Sequence, residues 1–116
     1  PEMPEVEQVR KTLLPHIKGK TIKNIEINLQ ADKIPFAGLT GKTILDVGRR
    51  GKYLVLKTDE NQKLIVHLRM TGSLIAQEAE KPAPPYAKIK FELTDGVTMW
   101  FCDIRTFGTL YLVTNN

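Results

Sequence analysis

At 116 residues, 41% of them apolar, the chain suits one domain that can bury its own core without metal or disulfide staples. Its single cysteine, Cys102, excludes an internal disulfide and any zinc site built from several thiolates. Seventeen Lys and Arg against thirteen Asp and Glu leave a net charge of +4, compatible with a polyanionic partner. No apolar run approaches the ~20 residues of a membrane helix, and the start is acidic rather than basic then apolar. A membrane partner and secretion are therefore not expected, and a reducing cytoplasm is.

Pro4, followed by Glu5 and Glu7, predicts a helix start, because proline fits the first turn and carboxylates favour the positive end of the helix dipole. Val6, Val9, Leu13 and Ile17 recur at helical spacing and should lay one stripe on a core. Pro15 should kink the helix or begin its last turn, and Gly19 can cap its exit. From Thr21 onward the pattern changes to alternation and short apolar runs. Strands are predicted at 22–27, 42–47, 53–57, 64–68, 73–77, 88–93, 98–103 and 109–113, with turns at 59–61 and 94–96. Residues 78–86 contain three prolines and should form a loop. The expected fold is α+β and predominantly β: an N-terminal helix packed on an antiparallel two-layer β-sandwich of about eight strands. Trp100 and Cys102 would share one face of their strand and Met99, Phe101 and Asp103 the other, which suits a strand buried on both sides.

A chain that begins at Pro1 exposes a secondary amine, a nucleophile toward carbonyl-like carbons once unprotonated. Free α-amino groups titrate near ~7.7–8.0, and the positive end of a following helix disfavours an ammonium beside it. This parallels lysine Schiff-base catalysis without a buried lysine. For an arbitrary chain, excision of an initiator methionine is the simpler account of such a proline. Glu2 and Glu5 flank the amine and can supply acid-base assistance; complementing the helix dipole explains Glu5 and Glu7 at least as well. Basic residues crowd at Arg49, Arg50 and Lys52, at His67 and Arg69, and at Arg105. Taken singly, Lys52 reads as a solvated hairpin lysine, His67 as a surface or core histidine, and Met70 and Phe107 as core residues near strand ends.

Four segments in order carry a resemblance across nearly the whole chain: Pro1-Glu-Met-Pro-Glu-Val-Glu7, Arg49-Arg-Gly-Lys-Tyr-Leu54, His67-Leu-Arg-Met-Thr-Gly72 and Asp103-Ile-Arg-Thr-Phe-Gly108. Together they resemble the formamidopyrimidine-DNA glycosylases. The resemblance implies a bifunctional glycosylase and abasic-site lyase acting on damaged double-stranded DNA as a bacterial cytoplasmic monomer, with oxidised purines as substrates. It implies catalytic roles for Pro1 as the Schiff-base nucleophile, Glu2 as the proton donor to the sugar ring oxygen, and Lys52, with Glu5 in support. Lys52 and His67 would contact the DNA backbone. Met70, Arg105 and Phe107 would fill the gap left by an extruded base, which must leave the stack to be reached. The resemblance implies no cofactor within these residues. A zinc ion belongs to a later, cysteine-ligated finger that follows a helical DNA-binding domain. Neither part is in this sequence, which is therefore expected to be the N-terminal catalytic domain, 1–116, of a longer protein, with a naturally shortened relative as the alternative.

The match departs from the family at Met3, where leucine is usual, and at Ile104 and Thr106, which replace a proline and a basic residue around Arg105. Pro85-Tyr-Ala-Lys88 stands where histidines are common, so backbone contacts from that strand rest on Lys88. Three other readings compete: an endonuclease VIII-like enzyme for oxidised pyrimidines, a catalytically inactive DNA- or protein-binding module, and a tautomerase with a proline base. The last would begin with a strand directly after the proline.

Overall fold

A computed structural model of the chain describes residues 2–27, 36–104 and 109–114, with the backbone alone at 36, 37 and 109–114. Helix α1 spans Met3–Ile17. The strands are β1 (Ile22–Ile27), β2 (Ile44–Arg50), β3 (Tyr53–Thr58), β4 (Gln62–His67), β5 (Gly72–Glu78), β6 (Ala87–Leu93), β7 (Val97–Asp103) and β8 (Thr109–Thr114). They form two four-stranded antiparallel sheets, ordered β1-β6-β7-β5 and β2-β3-β4-β8.

The helix starts as its sequence dictates. Glu2 is the N-cap, in extended conformation, and its carbonyl accepts the amides of Glu5 and Val6, each at 3.0 Å. The Glu5 carboxylate reaches back to accept the Glu2 amide at 3.1 Å, satisfying one of the donors a helix start leaves orphaned. Pro15 falls in the last turn, so the helix ends soon after it, and the Lys18 amide still bonds the Leu14 carbonyl. Gly19 takes a left-handed φ of +83° and donates its amide to the Ile44 carbonyl, which ties the helix exit to β2.

Val6, Leu13 and Ile17 are buried, with Val9 and Leu14 packed beside them, so the helical stripe read from the sequence is the face laid on the core. That face touches β2 and β5, an edge strand of each sheet, and α1 thereby spans the opening between the two layers. On the sheets, β6 alternates strictly, with Ile89, Phe91 and Leu93 inward. Leu54 and Leu56 of β3 and Leu64 and Val66 of β4 face them from the other layer. The central strand β7 is buried on both faces from Phe101 to Asp103, as its sequence suggested. Strand β2 begins two residues later than expected and runs through Arg50, because Lys42 and Thr43 lead into it by bonding back to the β1 end. Arg49 and Arg50 are therefore strand residues, and only Gly51 and Lys52 make the hairpin turn.

Two polar devices hold the parts together. The Glu7 carboxylate on α1 accepts Arg10 Nη2 at 2.7 Å and Arg49 Nε at 3.0 Å, while Arg10 Nη1 also reaches the Val47 carbonyl. Helix and β2 are thus clamped by charge as well as by apolar contact. The second device is the connection from β4 to β5, which crosses between the sheets over residues 68–71. Arg69 adopts a left-handed φ of +56°, the Gly72 amide donates to the Leu68 carbonyl at 2.8 Å, and the Thr71 hydroxyl is hydrogen-bonded to the Asp103 carboxylate at the end of β7.

A Cβ on Gly72 would stand 2.5 Å from the Leu68 carbonyl oxygen, a backbone atom that cannot swing aside. Gly72→Ala should therefore force the turn open and cost about 1–3 kcal/mol in urea denaturation. Gly48→Ala, whose new methyl meets nothing within 4 Å, should not destabilise the chain. Arg10 first, then Arg49, hold the Glu7 carboxyl from its ordinary 4.5 down to about 2. A folded value below the unfolded one means that the clamp's contribution is complete above about 4.5 and lost as pH falls toward about 2. The difference in melting temperature between the native chain and Glu7→Gln should be full at neutral pH and vanish near pH 2; a constant gap would exclude the clamp.

Candidate active site

The start of α1, the β2–β3 turn and the sheet-crossing turn converge on one open cleft of about 460 Å³, lined by Glu2, Glu5, Lys52, His67, Arg69 and Met70. Four of the residues singled out for chemistry or DNA contact, Glu2, Lys52, His67 and Met70, are therefore gathered there from three separate stretches of sequence, together with the supporting Glu5. Pro1, Arg105 and Phe107 lie outside the described residues.

Each wall has a local cause. Glu2 is placed by its role as N-cap, and Glu5 fixes the Glu2 backbone through the bond to its amide. Lys52 projects from the hairpin tip to within 3.6 Å of Glu2 Oε2, with the two side chains 50% and 78% exposed. At that distance and exposure the pair is worth little, so either partner can leave it for a better one. His67 closes β4 directly opposite Tyr53 of β3, and the two rings stack with centroids 4.6 Å apart. Burial, followed by the positive charges of Arg69 and Lys52, lowers the His67 pKa below its ordinary value. The shift favours the neutral imidazole, which carries one N–H donor.

Met70 decides between two readings of its position. A core methionine would be buried; this one is 82% exposed at the summit of the sheet-crossing turn. Burying such a side chain on docking recovers roughly 1.5–3 kcal/mol. Gly72 serves by lacking a Cβ, and the left-handed residue of the turn is Arg69. The basic crowding at 49–52 also divides. Arg49 is engaged within the fold by Glu7 and the Gly51 carbonyl, leaving Lys52 to face the cleft.

Three residues that help to build the site, Tyr53, Thr71 and Asp103, lie in the segments that carry the resemblance but were given no role there. The Tyr53 stack on His67 depends on strand register, and the Thr71–Asp103 bond joins positions 32 apart. Cys102 is buried, which pushes its thiol pKa up and agrees with a packing role. Among the described residues, no three His, Cys, Asp or Glu side chains come together to hold a metal ion, and no helix is long and apolar enough to cross a membrane.

Curated formamidopyrimidine-DNA glycosylases from Heliobacterium modesticaldum and Bacillus subtilis are 44% and 42% identical over 98% and 97% of this chain. The chain spans 44% and 43% of their lengths, less than half of each relative. Among solved structures, a Lactococcus lactis Fpg (MutM) in complex with DNA containing FAPY-dG superposes with a TM-score of 0.87 at 33% identity, covering 98% of this chain and 44% of that one. A MutM in complex with DNA containing carbocyclic 8-oxo-G gives 0.84 at 32% identity, over 99% and 45%. The family model described as the formamidopyrimidine-DNA glycosylase N-terminal domain matches residues 1–110, and the chain belongs to that family.

Proposed function

We propose that this chain is the catalytic domain of a base-excision enzyme that removes an oxidised purine from duplex DNA and then cleaves the strand at the abasic site. The carrying observation is the cleft that collects Glu2, Lys52, His67 and Met70, because Glu2 is covalently next to Pro1. An amine nucleophile, a carboxyl group, phosphate-binding donors and an apolar wedge are the parts such a reaction needs.

In this reading the Pro1 nitrogen attacks the deoxyribose C1′ and the glycosidic bond breaks, its electrons leaving with the base, which takes up the proton that the proline nitrogen gives up. Glu2 donates its proton to the ring oxygen as the sugar opens, giving an iminium between C1′ and the proline nitrogen. Loss of a C2′ proton then expels the 3′ phosphate by elimination. Lys52 exchanges its weak Glu2 contact for a DNA phosphate, and His67 donates a neutral hydrogen bond to the backbone. Met70 enters the stack in place of the extruded base, with Arg105 and Phe107 completing the plug. The helix that starts at Met3 speaks against the tautomerase reading, which requires a strand there.

The oxidised-purine assignment leans on relatives whose structures hold FAPY-dG and carbocyclic 8-oxo-G. A second reading, oxidised pyrimidines, is favoured by another Lactococcus lactis Fpg (MutM) structure, 36% identical, that holds DNA with an oxidised pyrimidine. Excision rates on matched duplexes carrying each lesion separate the two. The relatives' bacterial sources support a bacterial enzyme, and this reading takes it as a cytoplasmic monomer. With a single cysteine in the chain, any zinc the protein uses is assigned to residues beyond 116. Because the chain spans less than half of its relatives, residues 1–116 alone should bind damaged DNA weakly and turn over poorly.

Borohydride trapping on abasic duplex DNA, with the protein in its complete native form, tests the chemistry. A covalent adduct should form, disappear when Pro1 is acetylated or extended by one residue, and form roughly 10²- to 10⁴-fold more slowly in Glu2→Gln. An adduct undiminished by acetylation would remove Pro1 from the mechanism, and reversible binding with no adduct would reduce the chain to a binding module.

A further inference from the structure

Resting on the reading above, we propose that Arg49 is a positioning residue, which fixes Lys52 relative to Glu2 by joining Glu7 of α1 to the Gly51 carbonyl. Lys52 needs such a device. It occupies the tip of a two-residue turn after the last cross-strand pair, Arg50 with Tyr53. A Cβ placed on Gly51 would meet nothing within 4 Å, so no packing holds the tip from that side. The 3.6 Å contact with Glu2, between two well-exposed groups, is too weak to hold it from the other.

Arg49 supplies the missing constraint. Its Nε donates to Glu7 Oε1 at 3.0 Å and its Nη1 to the Gly51 carbonyl at 2.9 Å, so one planar guanidinium bridges the helix and the turn. Glu7 is itself held by the Nε and Nη2 of Arg10, whose Nη1 reaches the Val47 carbonyl of β2. Glu7 and Arg49 are 29% and 30% exposed, far better shielded from salt than the 78% and 50% of Glu2 and Lys52. The path from Glu2 along α1 to Glu7, through Arg49 to Gly51 and on to Lys52 closes on itself at the cleft. With these donors spent inside the fold, Arg49 acts through Lys52 and does not read DNA.

A double-mutant cycle with Arg49→Lys and Lys52→Met, in the protein in its complete native form, tests the assignment. Lysine keeps the charge facing Glu7 but lacks the second arm of the fork, so Arg49→Lys should fold with nearly native melting temperature. It should slow single-turnover trapping on abasic DNA roughly 10- to 100-fold at saturating DNA, as small misplacements do, with the half-saturating concentration little changed. In the Lys52→Met background the same substitution should have under about a twofold further effect, since nothing remains to be positioned. Arg49→Met, which removes the charge as well, should show the same non-additivity wherever it folds. Losses that multiply, or an Arg49→Lys protein as fast as the native one, would overturn the inference while leaving Lys52 in the mechanism. A Lys52→Met protein with native trapping would instead remove Lys52 from the proposed function, and this inference with it.

Discussion

Helix α1 lies across an edge strand of each sheet, and the geometry of the cleft depends on that single packing. Val6, Leu13 and Ile17 are buried against the core, the Gly19 amide binds the Ile44 carbonyl, and Glu7 grips Arg49. The residue that starts the helix, Glu2, is fixed by the same contacts that fix its other end, because a hydrogen-bonded helix transmits position along its length. Capped at Glu2 and Glu5 and laid on two sheets, the first turn of α1 becomes part of the rigid scaffold that lines the cleft.

Charge in this protein serves two separate purposes, and net charge distinguishes neither. Lys20 with Asp95, Lys42 with Glu60, Lys90 with Glu92 and Glu26, and Arg10 and Arg49 with Glu7 are all ion pairs within the fold. The cleft is arranged otherwise. Lys52 is held loosely, and burial with cationic neighbours lowers the His67 pKa. Arg69 lines the same cleft, beside the carboxylates of Glu2 and Glu5.

The fold was legible wherever periodicity decided it. The helical stripe from Val6 to Ile17 and the alternation of Ile89, Phe91 and Leu93 place the core correctly, because each follows from burying one face of a regular element. The site was legible by pattern at Glu2, Lys52, His67 and Met70, whose neighbourhood the fold then assembles. Arg49 reads in sequence as one of a basic crowd: it is three residues from Lys52 and forty-two from Glu7, and only helix packing reveals which partner it takes. Tyr53 and Asp103 were missed for the same reason, since strand register brings Tyr53 to His67 and a sheet crossing brings Thr71 to Asp103. Sequence shows what a side chain can do, whereas the partner that claims it depends on contacts across the fold.

The sheet-crossing turn is the place where local preference and structure disagree. A non-glycine residue, Arg69, holds a left-handed backbone at a cost of roughly 1–2 kcal/mol. The next residue, Met70, leaves its thioether almost wholly in water. Neither choice favours folding, and both are enforced by neighbours: the Gly72 amide on the Leu68 carbonyl, the absent Cβ that lets those backbones meet, and Thr71 on Asp103. A turn built only to join two strands would relax toward glycine at 69 and a polar residue at 70. Persistence of an exposed apolar tip on a pinned, strained backbone argues that Met70 is held ready for a surface that buries it. Because Asp103 also ends β7, its bond to Thr71 ties this turn to the end of that strand.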